Sequence, residues 1–260
     1  MTIVQPVDIG LVGGMETERA FVIGNGTSRQ HIVLTDLPEG KTYGCNAVYR
    51  DFDPDVLVSV DNGMMHEIYC KYEGNAKIYF RQWSSLPAEA LDMLLQSVDT
   101  SITISNAIEN ATEFVLNGSE INTFNTTPCT VITWLNRDLK PISIDDKHIE
   151  DFSTGTTAID LAARDGAETI YLLGFDIGTQ TDKVNNIYAG TSNYCSSDTP
   201  AEWVYEKKNT VKNWKEQHCR NFVTYSNVNF VFVNDIVFDE FNQFDNVSYM
   251  SVIDFNEKIY

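Results

Sequence analysis

Several signatures are missing from this 260-residue chain, and each absence narrows the chemistry open to it. No Cys-x-x-Cys pair occurs among its five cysteines (Cys45, Cys70, Cys129, Cys195 and Cys219), so neither a zinc ribbon nor a disulfide framework is indicated. The four histidines (His31, His66, His148 and His218) never fall at HxH or HxxxH spacing, which argues against a histidine-built zinc site. There is no GxSxG elbow and no GxxxxGK-Ser/Thr loop, which disfavours hydrolases of that type and P-loop kinases. A strict GxGxxG is lacking as well, because Arg29 stands where the third glycine would follow Gly24-Asn25-Gly26. No apolar run approaches the ~20 residues needed to span a bilayer, and no basic region with an apolar stretch marks a secretory leader. A reducing cytoplasm, the host's if the protein is viral, is the expected setting.

Positive charge is scarce. Eighteen Lys and Arg against 37 Asp and Glu leave a formal charge of −19, a surface that repels nucleic-acid backbones and anionic membranes. The densest basic stretch, Lys207-Lys208 to Lys215, is interleaved with Glu206 and Glu216. Nucleic acid is therefore a disfavoured partner, and solubility or a saline habitat is the simpler reading of the acidity. A homo-oligomer is compatible with everything above.

What remains is an ordinary globular composition, 43% hydrophobic and 12% aromatic, with ample length for a continuous core. Short apolar runs predict strands at 20–23, 42–45, 56–60, 77–80, 101–104, 130–134, 169–173 and 229–233. Helices are predicted at 63–72, 87–98, 156–165 and 209–222. Runs such as Ile170-Tyr-Leu-Leu173 have no polar alternation, as expected of strands covered on both faces. The alternation of strand and helix predicts one α/β domain over 20–260, a Rossmann-like doubly wound sheet, mostly parallel. A weakly patterned N-terminal extension (1–19) precedes it. An Asn/Thr/Ser-rich middle (105–128) and a polar, lid-like insertion (178–199) decorate it.

Chemistry-bearing residues recur where predicted strands end, the edge at which open α/β sheets bind ligands. Phe21-Val-Ile-Gly24-Asn25-Gly26-Thr27-Ser28 reads as a strand breaking into a tight turn that lets a ligand approach the backbone, with Thr27 or Ser28 placed to cap a following helix. Asn46 ends the second strand, Asp61 the third and Asp176 the strand of 169–173. Each alone is an ordinary strand end or cap; together they predict a polar rim for a nucleotide. Ser153-Thr154-Gly155-Thr156-Thr157 reads as a capped helix start whose free amides suit a phosphate. His218 is placed on an exposed helix face and is not taken as a base.

These motifs, in this order, resemble the bacterial sialyltransferases that act on lipooligosaccharides. Those proteins begin with a strand and a Gly-Asn-Gly-x-Ser turn, carry Cys-Asn at the next strand, and show a Ser-Gly helix start before a Tyr-Leu-x-Gly-x-Asp strand. The matching elements here are Gly24 to Ser28, Cys45-Asn46, Thr154-Gly155 and Tyr171 to Asp176. The pattern is similar too to archaeal-type hydroxymethylpterin diphosphokinases, flagellin-glycosylation proteins and hypothetical proteins of tailed phages. The resemblance implies nucleotide contacts at Asn25, Asn46, Thr154, Gly155 and Thr156, and lid tyrosines, Tyr188 and Tyr194, that steady the leaving phosphate. The family's catalytic histidine is absent: Tyr205 and Glu206 occupy its place before Lys208-Asn209-Thr210. Glu206 or Asp176 would then be the base. The implied reaction is glycosyl transfer from a nucleotide-activated sugar to an acceptor hydroxyl. The alternative is a diphosphokinase acting on a pterin-like alcohol, with Asp61 and Asp176 holding Mg²⁺. A third is a nucleotide-binding or scaffold protein without catalysis.

Overall fold

The computed structural model describes residues 18–81, 83–84, 113–117, 120–126, 129–134, 139–144, 146–179, 181–206 and 209–259. Its centre is an eight-stranded sheet in the order β12-β11-β10-β1-β2-β3-β4-β9, with every neighbouring pair parallel. The strands are β1 (Arg19–Ile23), β2 (Lys41–Cys45), β3 (Val56–Ser59), β4 (Lys77–Arg81), β9 (Ile142–Ile144), β10 (Thr169–Leu173), β11 (Asn229–Val233) and β12 (Val247–Met250). β1 lies mid-sheet, from which the chain winds outward through β2, β3 and β4 on one side and β10, β11 and β12 on the other. The order reverses between β1 and β10, and a crevice opens at such a point beyond the carboxyl ends of the strands. This is the doubly wound α/β fold expected from the sequence, all-parallel in its main sheet. Arg19 already belongs to β1, and residues 1–17 lie outside the described chain.

Both faces are covered, which explains why the strands read as unbroken apolar runs. Ala20 and Val22 of β1 join Ile170, Leu172, Phe230 and Phe232 beneath α2 (Thr154–Arg164) and α4 (Thr210–Thr224). The alternate residues Phe21 and Ile23 join Leu173 and Val233 on the opposite face, under Val252 and Phe255 of α5 (Val252–Ile259). Each large apolar side chain buried in this way contributes roughly 1.5–3 kcal/mol. A third cluster packs α1 (Asn62–Lys71) on Leu57, Ile78 and Phe80. α3 (Ala201–Tyr205) is a single short turn before α4.

A four-stranded sheet, β5-β8-β7-β6, comes between β4 and β9 in the chain: β5 (Trp83–Ser84), β6 (Glu113–Asn117), β7 (Glu120–Thr126) and β8 (Cys129–Trp134). The strand predicted at 130–134 is therefore real but sits in this second sheet, antiparallel to β7. Only Thr127 and Pro128 separate the two strands, far too few for the crossover a parallel pair requires. The predicted helix at 87–98 and strand at 101–104 lie outside the described residues. No helix among those described is long and apolar enough to cross a membrane.

Candidate functional site

The ends of β1 and β10 stay zipped one step past the strands: Gly24 N–H donates to Leu173 O (2.7 Å) and Gly26 N–H to Gly174 O (2.9 Å). This proximity, and not an unusual backbone angle, is what requires the two glycines. Gly26 has φ −65° and ψ 151°, open to any residue, yet a Cβ there would lie 2.6 Å from both the Asp176 carboxylate and Gly174 O. A Cβ on Gly24 would come 2.7 Å from Gly174 O. Asp176, 4% exposed, clasps the turn from below. One carboxylate oxygen accepts from Ser28 Oγ, and the other accepts from Ser28 N–H at 3.1 Å. Thr27 to His31 form a 3₁₀ turn and not an α-helix, and neither Thr27 nor Ser28 caps it.

Arg29, in the position of the missing third glycine, is the turn's second clamp. It is 4% exposed; its Nε donates to Gly24 O (2.7 Å) and its Nη2 to Tyr188 Oη (2.7 Å), with Asp51 at 3.3 Å. The donors of this turn are largely committed. The amides of Gly24 and Gly26 serve β10, that of Ser28 serves Asp176, and that of Thr27 donates to Asn185 Oδ1 (2.7 Å).

Beside this clasp, the tips of β2 and β3 and the start of α2 share a polar network. Asn46, in the left-handed region at φ 52°, uses Oδ1 to accept from Ser59 Oγ (2.8 Å) and Thr154 Oγ1 (3.1 Å), while Nδ2 donates to Asp61 Oδ2 (3.0 Å). Left-handed backbone suits asparagine better than most residues. Thr154 Oγ1 also reaches Asp61 Oδ2 (3.4 Å) and accepts from Val60 N–H (3.3 Å). Ser153 caps α2, its Oγ accepting from Thr156 N–H (3.3 Å), as the sequence predicts. The first amides of α2, at Thr154 and Gly155, border the same space, where the helix dipole favours an anion.

These elements enclose a cleft of about 380 Å³, within the range of small-molecule sites. Gly24, Asn25, Gly26, Asn46, Asp61, Thr154, Gly155, Asp176 and Tyr194, all singled out from sequence, line it. The segment after β10 roofs it: Ile187 N–H donates to Asn25 O (2.9 Å), and Asn25 Nδ2 donates to Tyr194 Oη (3.0 Å). A latch fastens this strap, since Glu67 accepts from Arg50 and, through Oε2, from Asn193 Nδ2 (2.6 Å), and Arg50 Nη1 donates to Thr191 Oγ1 (2.7 Å). Ile177, β-branched yet at φ 45°, marks strained backbone on the cleft wall. Burial raises the Tyr194 phenol well above its ordinary range and pushes the Cys45 thiol up to about 12, so both are neutral.

Four of the predicted residues are placed elsewhere. Ser28 is spent on Asp176 and does not line the cleft. Thr156 is wholly buried, its hydroxyl donated to Gln217 Oε1 (2.9 Å). Tyr188 faces the core side of the strap, donating to Asp51 Oδ2 (2.5 Å). Glu206 follows α3 in an adjoining concavity with Lys215, Asp239 and Glu240 and does not line the cleft, whereas its neighbour Tyr205 lines both. His218, predicted on an exposed face, is 3% exposed and also borders the cleft.

Among the described residues no cluster of three or more His, Cys, Asp or Glu side chains is arranged for a metal ion. Both Asp176 oxygens accept from Ser28, so an Mg²⁺ held by Asp61 and Asp176 would share the Asp176 carboxylate with the turn. No protein-family model, curated protein or solved structure matches this chain.

Proposed function

We propose that the cleft binds a nucleotide-activated sugar and that the protein transfers the sugar to an acceptor hydroxyl. One observation carries the reading: the cleft opens at the switch point between β1 and β10, and the asparagines, the Thr154-Gly155 helix start and a strap tyrosine converge on it. The anionic end belongs at α2, because the amides of Gly24, Gly26, Thr27 and Ser28 in the glycine turn are already bonded. Among the described residues two carboxylates and no Lys or Arg line the cleft, which favours a donor with a single phosphate over a bare triphosphate.

Transfer needs a base for the acceptor and a donor for the departing phosphate. Asp61 suits the first role better than Asp176 or Glu206. Its Oδ2 is steadied by Asn46 and Thr154, its side chain is open to the cleft, and no described hydrogen bond occupies Oδ1. The neutral Tyr194 hydroxyl accepts from Asn25 and keeps its own proton to donate to phosphate oxygen as charge builds there.

A thermal-shift and calorimetric screen of CMP, CDP, UDP, GDP and ATP, with and without Mg²⁺, tests the reading. A ligand at a hundredfold its Kd adds about 2.7 kcal/mol of stability. Metal-independent stabilisation by a monophosphate, and loss of sugar transfer in Asp61→Asn with binding retained, are expected. Stabilisation only by ATP with Mg²⁺ would point to the diphosphokinase, and no shift with any nucleotide would refute the site.

A further inference from the structure

The cleft also has an aromatic and apolar wall, formed by Phe175, Ile177, Val204, Tyr205, Trp214 and His218. His218 is the unusual member. It lies in the middle of α4, 3% exposed, with its ring among Phe175 (centroids 5.8 Å apart), Phe222 (6.0 Å), Phe232 (5.9 Å) and Phe241 (6.0 Å). Its Nδ1 is 2.8 Å from Trp214 O, and a carbonyl oxygen can only accept, so Nδ1 carries the proton. That fixes the tautomer and leaves Nε2 as a lone-pair acceptor. Nε2 is buried and has no hydrogen-bond partner among the described residues. A phenylalanine would fill this aromatic cluster without leaving a desolvated acceptor unpaired, so the position needs a reason to be polar.

From this geometry we infer that the aromatic wall is a nucleobase subsite, in which His218 Nε2, closed off without a ligand, is uncovered as the base enters and accepts a hydrogen bond from its amino or ring N–H. The inference rests on the nucleotide reading and adds to it the direction of the ligand. The phosphate lies at Thr154-Gly155 and the base farther along the same wall, past Phe175, whose ring packs against both Gly155 and His218. Desolvation, only partly offset by the Trp214 carbonyl, holds the His218 pKa down to about 4, which keeps Nε2 an acceptor at neutral pH.

The test titrates CMP, UMP, AMP, GMP and ribose 5-phosphate into the full chain and into His218→Phe, with thermal melting as the check on folding. At least one monophosphate is expected to bind the unaltered protein and to lose about tenfold in affinity in the variant, the equivalent of one hydrogen bond. Ribose 5-phosphate, which lacks the base, should bind both alike. On the unaltered protein, the Nε2 resonance of ¹⁵N-histidine-labelled His218 should move upfield as the nucleotide is added. This readout stands even if the variant fails to fold. An unmoved Nε2 resonance with equal nucleotide affinity in both proteins would overturn the subsite while leaving the nucleotide reading intact. If no monophosphate binds the unaltered protein, the nucleotide reading fails and the subsite fails with it.

Discussion

Lowering the pH from 7 to 5 should destabilise this protein through His218, whatever ligand the cleft takes. In the fold its imidazole is desolvated among four phenylalanines, and among the described residues a backbone carbonyl is its one polar contact. Burial thus pushes its pKa from 6.5 down to about 4. Because the folded value lies below the unfolded one, the unfolded chain binds the proton first. The contribution to stability is therefore fully present above pH 6.5, falls as the pH drops toward 4, and levels off below. The whole gap is worth roughly 3 kcal/mol, of which about 2 kcal/mol is lost between pH 7 and pH 5. For a chain of this size that corresponds to a fall in Tm of roughly 4–8 °C. His66, whose pKa burial also lowers, and the carboxylates titrate too, so the informative quantity is the difference between the natural chain and His218→Phe. In urea melts at the two pH values the variant should lose about 2 kcal/mol less than the natural chain. At pH 7 it should be at least as stable to within about 1 kcal/mol, since an unpaired buried acceptor has been removed. Equal pH dependence in the two proteins would refute the claim that His218 is buried and neutral.

Three further outcomes follow from the same geometry. Asn46→Ala should weaken nucleotide binding by about 1–3 kcal/mol through loss of the amide that joins Ser59, Thr154 and Asp61; Asn46→Gly, which relieves the left-handed backbone, should show the same affinity loss in calorimetry with less loss of Tm. Gly26→Ala should cost about 1–3 kcal/mol in urea melts although its φ is compatible with alanine, because the added methyl meets Gly174 O and Asp176; an unchanged midpoint would mean the β1–β10 loops are not packed so closely. Glu67→Ala removes the acceptor shared by Arg50 and Asn193. It should lower stability by about 2–4 kcal/mol and raise amide exchange over residues 187–194, and protection unchanged in that segment would show that the latch does not hold the strap.

The parts of the fold legible in the sequence are those where burial on two faces leaves a one-dimensional trace. β1, β10 and β11 are unbroken apolar runs because alternate residues enter different cores, as Val22 and Phe21 do. The edge strands left no such trace. β9 is Ile-Ser-Ile and β12 Val-Ser-Tyr-Met, short and only partly buried, so periodicity cannot distinguish them from loop. At the site, residues at strand ends could be placed because a strand's end fixes its neighbours in space: Asn46, Asp61 and Asp176 all reach one rim. What several of the neighbouring side chains do depends on partners more than a hundred residues away in the chain. Ser28 finds Asp176, and Arg29 finds Tyr188, and in doing so they become clasps of the turn and leave the cleft to others.

α4 shows why the decisive groups were the hardest to read. Its sequence, Thr-Val-Lys-Asn-Trp-Lys-Glu-Gln-His-Cys-Arg-Asn-Phe-Val-Thr, is polar enough that hydropathy assigns Gln217, His218 and Asn221 to solvent, yet all three are buried. Gln217 and Asn221 are buried because this face grips the start of α2 by polar contacts, and His218 because its ring joins the phenylalanine cluster. Gln217 Oε1 accepts from Ser153 N–H (2.8 Å) and from Thr156 Oγ1, its Nε2 donates to Asp151 O (2.8 Å), and Asn221 Nδ2 donates to Thr156 O (2.9 Å). Gln217 thus occupies groups at the helix start that would otherwise compete for a ligand, and Thr154 and Gly155 are left facing the cleft. The same helix therefore orients the cleft-facing terminus of α2 and presents His218 one residue beyond Gln217. A loosened α4 would misplace both ends of the cleft together, and polar substitutions on its buried face should couple to ligand affinity more strongly than apolar ones elsewhere in the core.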